Sequence, residues 1–132
     1  MSQLNLPIHD KKFIIGCTTN PGDTEQIQKK LAVFNTQVAY NPEFIAQGEI
    51  VKGLEQSDIV LIGTDYPELG NLLIKIYEKI QTTSVNAHIM SPKAAEITKI
   101  GINCFLTTKI SYANMMGDIL MKSGLNLEID TV

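Results

Sequence analysis

The chain has 132 residues, is 44% hydrophobic and 19% charged, and carries a net charge of −3. That length suits one domain with a modest core. The even mixing of acids and bases argues against nucleic acid as a partner, because phosphate backbones select clustered Lys and Arg. No apolar run reaches membrane-spanning length, since Lys99, Asn103, Lys109 and Asp118 interrupt the longest candidate. With only His9 and His88 and two separated cysteines, no metal site is expected. Cys17 and Cys104 sit in apolar contexts and are expected to be buried free thiols, which favours a cytoplasmic location.

The first eleven residues form a polar leader without the apolar centre of a signal peptide. Lys12 to Cys17 (KFIIGC) is a short apolar run that predicts a buried strand. Pro21 and Gly22 break it, and Asp23 or Thr24 is placed to cap a helix running to about Val33. Thr36 to Tyr40 predicts a second strand. Asn41-Pro42-Glu43 then turns into a helical stretch, FIAQGEIVKGLEQ. Asp58 to Gly63 (DIVLIG) is almost wholly apolar, as strands buried on both faces of a parallel sheet are. Tyr66-Pro67-Glu68 opens a helix with Leu72, Leu73, Ile76 and Ile80 on one face. Ala87 to Met90 is a weaker fourth strand.

Ser91 to Gly124 predicts one long helix, with Ser91 as N-cap and Pro92 in the first turn. Its apolar residues cover most of its circumference, so a large partner surface is expected to bury it. The alternation of strands and helices predicts an α/β fold with helices on both faces of the sheet. No G-x-G-x-x-G turn occurs, so the expected architecture is the C-terminal half of a Rossmann-like parallel sheet followed by a long helix. The expected division is 1–11 leader, 12–90 partial Rossmann-like unit and 91–132 long helix.

Several residues are candidates for chemistry. Lys99 and Asn103 are spaced i, i+4 and share a helix face, to which Asn114 returns three turns later. A lysine in an apolar helix either snorkels to water or anchors an anionic or hydroxylated ligand. Thr18 follows the first strand, where open α/β sheets bind ligands, and is otherwise a plain turn residue. Glu43, paired i, i+4 with Gln47, suits acid/base work beside a ligand or complements a helix start. Cys104 has no base nearby in sequence and reads as core.

Taken in order, TTNPGDT after a strand, YNPEFIAQGE, DIVLIG and AAEITKIGINCFLTTKISYAN resemble the nucleotide-sugar 6-dehydrogenase family, the UDP-glucose and GDP-mannose dehydrogenases. The resemblance runs from Lys12 to Val132 and is most specific at Asn41–Phe44 and Lys99–Ser111. It implies an NAD-dependent oxidation of a nucleotide-sugar C6 hydroxyl to a carboxylate, through an intermediate held on a cysteine.

It also implies roles for single residues. Thr18 positions water and nicotinamide, Glu43 is the acid/base, and Lys99 stabilises oxyanion charge. Glu43, Phe44, Ile45, Ala46, Gln47, Lys99 and Asn103 bind the sugar, while Cys17, Thr18, Thr19 and Gln47 line the cofactor. The long helix makes a homodimer. Departures are Cys17 for a usual serine, Asn20 for a proline, Gln47 for a glutamate and Met115 for an acid. Neither cysteine fits the nucleophile motif. The expectation is therefore a truncated relative or fragment, with a non-catalytic dimerisation or nucleotide-sugar-binding module as the alternative.

Overall fold

A computed structural model describes residues 9–44 and 50–124. The chain folds as β1 (Lys12–Ile15), α1 (Asp23–Leu31), β2 (Gln37–Tyr40), α2 (Ile50–Glu55), β3 (Val60–Gly63), α3 (Pro67–Ile80), β4 (Ala87–Met90) and α4 (Pro92–Lys122). Two compact units result, Met1–Lys99 and Ile100–Val132. The α/β class and the long helix match the sequence expectation.

In the first unit the four strands lie in sequence order. β1 pairs with β2, and β3 with β4, in parallel. The expected parallel sheet is corrected at its centre, where β2 and β3 meet antiparallel through Tyr40 and Gly63. An all-apolar run such as VLIG, buried at every residue, carries no mark of strand direction. Side chains complete this short seam: Asn41 Nδ2 donates to the Leu61 carbonyl at 2.9 Å and Thr64 Oγ1 to the Val38 carbonyl at 3.2 Å. Pro42, just beyond, has no N–H with which to lengthen the ladder.

Alternation along the strands divides the core in two. Ile15, Val38, Tyr40 and Leu61 face one side, with Ala95 of α4 and with Ile27 and Leu31 of α1. Ala39, Val60 and Ile62 face the other, against Leu69 and Leu73 of α3. Gly63 is where β3 meets the start of α4. A Cβ there would lie 2.7 Å from Ala95 Cβ and 3.0 Å from Pro92 Cα, so only glycine lets the two backbones come this close.

The N-cap of α1 is neither Asp23 nor Thr24, as the sequence suggested. It is Gly22, at φ 98°, and no side chain of the cap residue itself bonds the helix. The donors there are satisfied from α4, as described below.

In the second unit, Thr107, Thr108 and Ser111 return their hydroxyls to carbonyls four residues back, at 2.8 to 2.9 Å. Phe105, Ile110, Tyr112, Met115 and Met121 are exposed. The expectation of buried thiols is also corrected: Cys17 and Cys104 are both exposed. Apolar neighbours in sequence do not bury a residue that follows the last strand position or faces outward on a helix. Among the described residues no helix is long and apolar enough to cross a membrane, and no group of three or more His, Cys, Asp or Glu could hold a metal ion.

Candidate functional site

Parallel pairing of β1 and β2 brings their C-terminal ends to one edge of the sheet. The two exit loops are tied there by main-chain bonds from Asn41 N to the Ile15 carbonyl (2.9 Å) and from Glu43 N to the Gly16 carbonyl (3.4 Å). Asn41 is fixed further by Tyr77, whose hydroxyl donates to Asn41 Oδ1 at 2.9 Å. The NPEF motif is thus held by its asparagine, which leaves the glutamate side chain exposed.

The first turns of α4 reach both loops. Lys99, only 7% exposed, donates from Nζ to the Glu43 carbonyl at 2.5 Å and sits 4.1 Å from the Phe44 ring centroid. A cation over a π-face adjoining a carbonyl dipole is a favourable place for a desolvated ammonium. Burial lowers the Lys99 pKa from the usual lysine value, and the Glu43 charge partly offsets that.

One turn earlier, Glu96 is fully buried. Its Oε1 accepts from Thr24 N (2.8 Å), Thr24 Oγ1 (2.6 Å) and Thr19 Oγ1 (3.2 Å), and its Oε2 from Gly22 N (2.5 Å). A carboxylate out of water needs such donors, and the N-terminus of α1 also offers the positive end of its dipole. Tyr40 lies fully buried between the loops, and its hydroxyl lacks a partner of hydrogen-bond geometry. Burial pushes its phenol above the usual range, Thr19 pulls it down, and the charges of Glu96 and Cys17 add to the rise.

Of the residues expected from sequence, Thr19, Glu43, Phe44 and Lys99 are brought together around these turns. Cys17 and Thr18 are exposed on the β1 exit. Ile45, Ala46 and Gln47 lie outside the described residues. Asn103 is exposed and belongs to the second unit, where it lines an open groove with Cys104, Thr107, Thr108 and Ser111. Sequence reasoning missed Glu96, Tyr40 and Asn41 as site-building residues. The signal for Glu96 was its spacing, three residues before Lys99 and so on the same helix face. A separate hollow of about 350 Å³, lined by Lys11, Phe13, Ile27, Lys30, Leu31 and Thr36, lies towards the start of β1, away from the exit loops.

Comparison with known proteins gives two adjoining matches. Residues 3–81 match the UDP-glucose/GDP-mannose dehydrogenase family, NAD binding domain, and residues 93–129 match the central domain of the same family. The UDP-glucose 6-dehydrogenase of Pseudomonas aeruginosa is 27% identical over 135 residues, covering 96% of this chain and 30% of that enzyme. The Rickettsia conorii UDP-glucose 6-dehydrogenase is 33% identical over 121 residues, covering 90% of this chain and 28% of the enzyme. The chain therefore spans about three tenths of the curated relatives it matches. Among solved structures, a UDP-glucose dehydrogenase from Pyrobaculum islandicum superposes with a TM-score of 0.76 at 28% identity, covering 86% of this chain and 27% of that one. A GDP-mannose dehydrogenase from Pseudomonas aeruginosa shares the fold, with a TM-score of 0.78 at 22% identity, over 88% of this chain and 28% of the other.

Proposed function

Because the chain belongs to the UDP-glucose/GDP-mannose dehydrogenase family, we propose that its two strand-exit loops and the first turns of α4 form part of a nucleotide-sugar 6-dehydrogenase site. The observation that carries this reading is Lys99, which is held against the main chain of Glu43 and the ring of Phe44. An ammonium has three donors, so two remain after the bond to the Glu43 carbonyl. Directed at a C6 oxygen, they would stabilise the negative charge that develops there. The Glu43 carboxylate is exposed beside it and is suited to exchange a proton with the same oxygen or with water. Thr18, exposed on the adjoining loop, would position that water. By the family resemblance, Phe44 to Gln47 would hold the sugar, and Asn103 is a further sugar-binding candidate.

NAD is the cofactor implied by the family, and it supplies the hydride acceptor when bound. The residues present fit only part of it. No G-x-G-x-x-G turn occurs in the 132 residues, and the first donors of α1 are already engaged by the Glu96 carboxylate. A negative group at that helix end leaves no place for a pyrophosphate. The exposed β1 exit, Cys17 and Thr18 with Thr19 behind them, is suited to the nicotinamide end, and the family resemblance adds Gln47.

The reading also includes a homodimer through α4, supported by the exposed Phe105, Ile110, Met115 and Met121, and a cytoplasmic location. The alternative, a non-catalytic nucleotide-sugar-binding or dimerisation module, is favoured by the same closure of the α1 N-terminus. Calorimetric titration with UDP-glucose and GDP-mannose tests the site. Wild type is expected to bind at least one, and Lys99→Met to bind it at least about tenfold more weakly, the loss of one charge-assisted contact. Equal affinity in the variant would remove Lys99 from the site.

A further inference from the structure

We propose that Glu96 is the positioning residue of this site: its buried carboxylate sets the β1 exit loop, and with it Thr18, in register with the loop that Lys99 holds. Three observations combine. Glu96 is fully buried, and its four donors among the described residues are neutral groups from Thr19, Gly22 and Thr24, so it spans the loop from the residue after Thr18 to the first turn of α1. It stands one helical turn from Lys99, whose ammonium grips the other exit loop through the Glu43 carbonyl and the Phe44 ring. The helix start is itself seated on the sheet by Ala95 and the close approach of Gly63.

One rigid turn of α4 thus fixes the spacing of two loops that also meet through main-chain bonds at the sheet edge. That the positioned loops serve a sugar-oxidising site rests on the reading above; the clamp itself is independent of it.

The two carboxylate oxygens are not equivalent, and this supplies the test. Among the described residues, Oε1 takes three donors and Oε2 takes the Gly22 N–H alone. In Glu96→Gln the amide oxygen can replace Oε1, while the amide nitrogen, itself a donor, must face the Gly22 N–H. Amide hydrogen exchange on the full chain should then show Gly22 released by about tenfold or more, with Thr24 within about threefold of wild type. In Glu96→Ala both amides should be released, and the amide resonances of Thr18 and Thr19 should move. Thr24→Val, which removes one donor and leaves Thr19 bonded, should leave Thr18 and Thr19 in place.

Protected Gly22 and Thr24 amides in Glu96→Ala would overturn the proposal. So would unmoved Thr18 and Thr19 beside a released Gly22, since Glu96 would then be a helix cap only. If Glu96→Ala does not fold, the Gly22 and Thr24 contrast in Glu96→Gln decides, with Thr19, bonded to the retained oxygen, expected to stay in place: equal exchange of both amides, or a Thr19 that moves while Thr24 stays, refutes the clamp. UDP-glucose titration of the wild type is read separately. Its failure would count against the functional reading, while the exchange data decide the clamp.

Discussion

Glu96 and Lys99 stand three residues apart on one face of α4, and each holds the exit loop of a different strand. Glu96 takes the loop after β1 through Thr19, Gly22 and Thr24, and Lys99 takes the loop after β2 through Glu43 and Phe44. Two oppositely charged side chains are buried here without bonding each other in the structure, each instead meeting the dipoles of a loop.

The Glu96 cluster is a stability element in its own right. Thr24 is 1% exposed and donates its hydroxyl to Glu96 at 2.6 Å. Thr24→Val keeps the shape and removes one hydrogen bond to a charged group, at a cost of about 1.5–3 kcal/mol. Urea unfolding should show the midpoint fall with the slope unchanged. A midpoint equal to wild type would mean that the carboxylate does not depend on this donor.

Lys99 makes a prediction in pH. Its folded pKa lies below the usual lysine value of 10.5, chiefly through burial. Between the folded and unfolded values the unfolded chain binds more protons, so this group's contribution to stability rises with pH as that window is crossed. The buried phenols of Tyr40 and Tyr77 are raised from 10.0 and act in the opposite sense above that value, where the unfolded chain loses protons first. The stability of wild type minus that of Lys99→Met should therefore increase from about neutral pH to about pH 10. A difference that is flat or falls over that range would contradict the placement of Lys99.

Gly63 reports on the seating of α4. A methyl group added there meets Ala95 Cβ at 2.7 Å and the Pro92 backbone at 3.0 Å, and backbone cannot rotate away. Gly63→Ala should cost about 1–3 kcal/mol by overpacking. Thermal unfolding by circular dichroism checks it, and an unchanged midpoint would show that α4 can lift from β3 without penalty.

Much of this architecture is legible in the chain. Short apolar runs mark the four strands, Pro67 and the 3.6-residue periodicity mark α3, and Ser91-Pro92 and the length of the apolar stretch mark α4. The NPEF and Lys99 segments are visible as motifs, and the structure joins them. The direction of β3 is not legible, because a run buried on both faces looks the same from either end. Glu96 escaped for a different reason. An acid near a helix start ordinarily complements its own dipole, and nothing local shows that this one caps a helix 72 residues away in sequence, at Thr24. The exposure of Cys17 and Cys104 likewise depends on where strands end and which way a helix turns.

The absence of a glycine cradle has a catalytic consequence. With no G-x-G-x-x-G turn in its 132 residues and α1 closed by Glu96, the purified chain should not reduce NAD⁺ in the presence of UDP-glucose or GDP-mannose. Absorbance of NADH is the readout. Steady NADH production by the pure chain would show that the cofactor is held by other means.

The most direct test of the site is where a nucleotide-sugar touches the chain. Amide resonances of the full, labelled protein can be followed while UDP-glucose is added. The account predicts that the largest changes fall on Cys17 to Thr19 and on Glu43 and Phe44, and that they weaken in Lys99→Met. Changes centred instead on the hollow of Phe13, Ile27 and Leu31, or no saturable change at these loops, would contradict it.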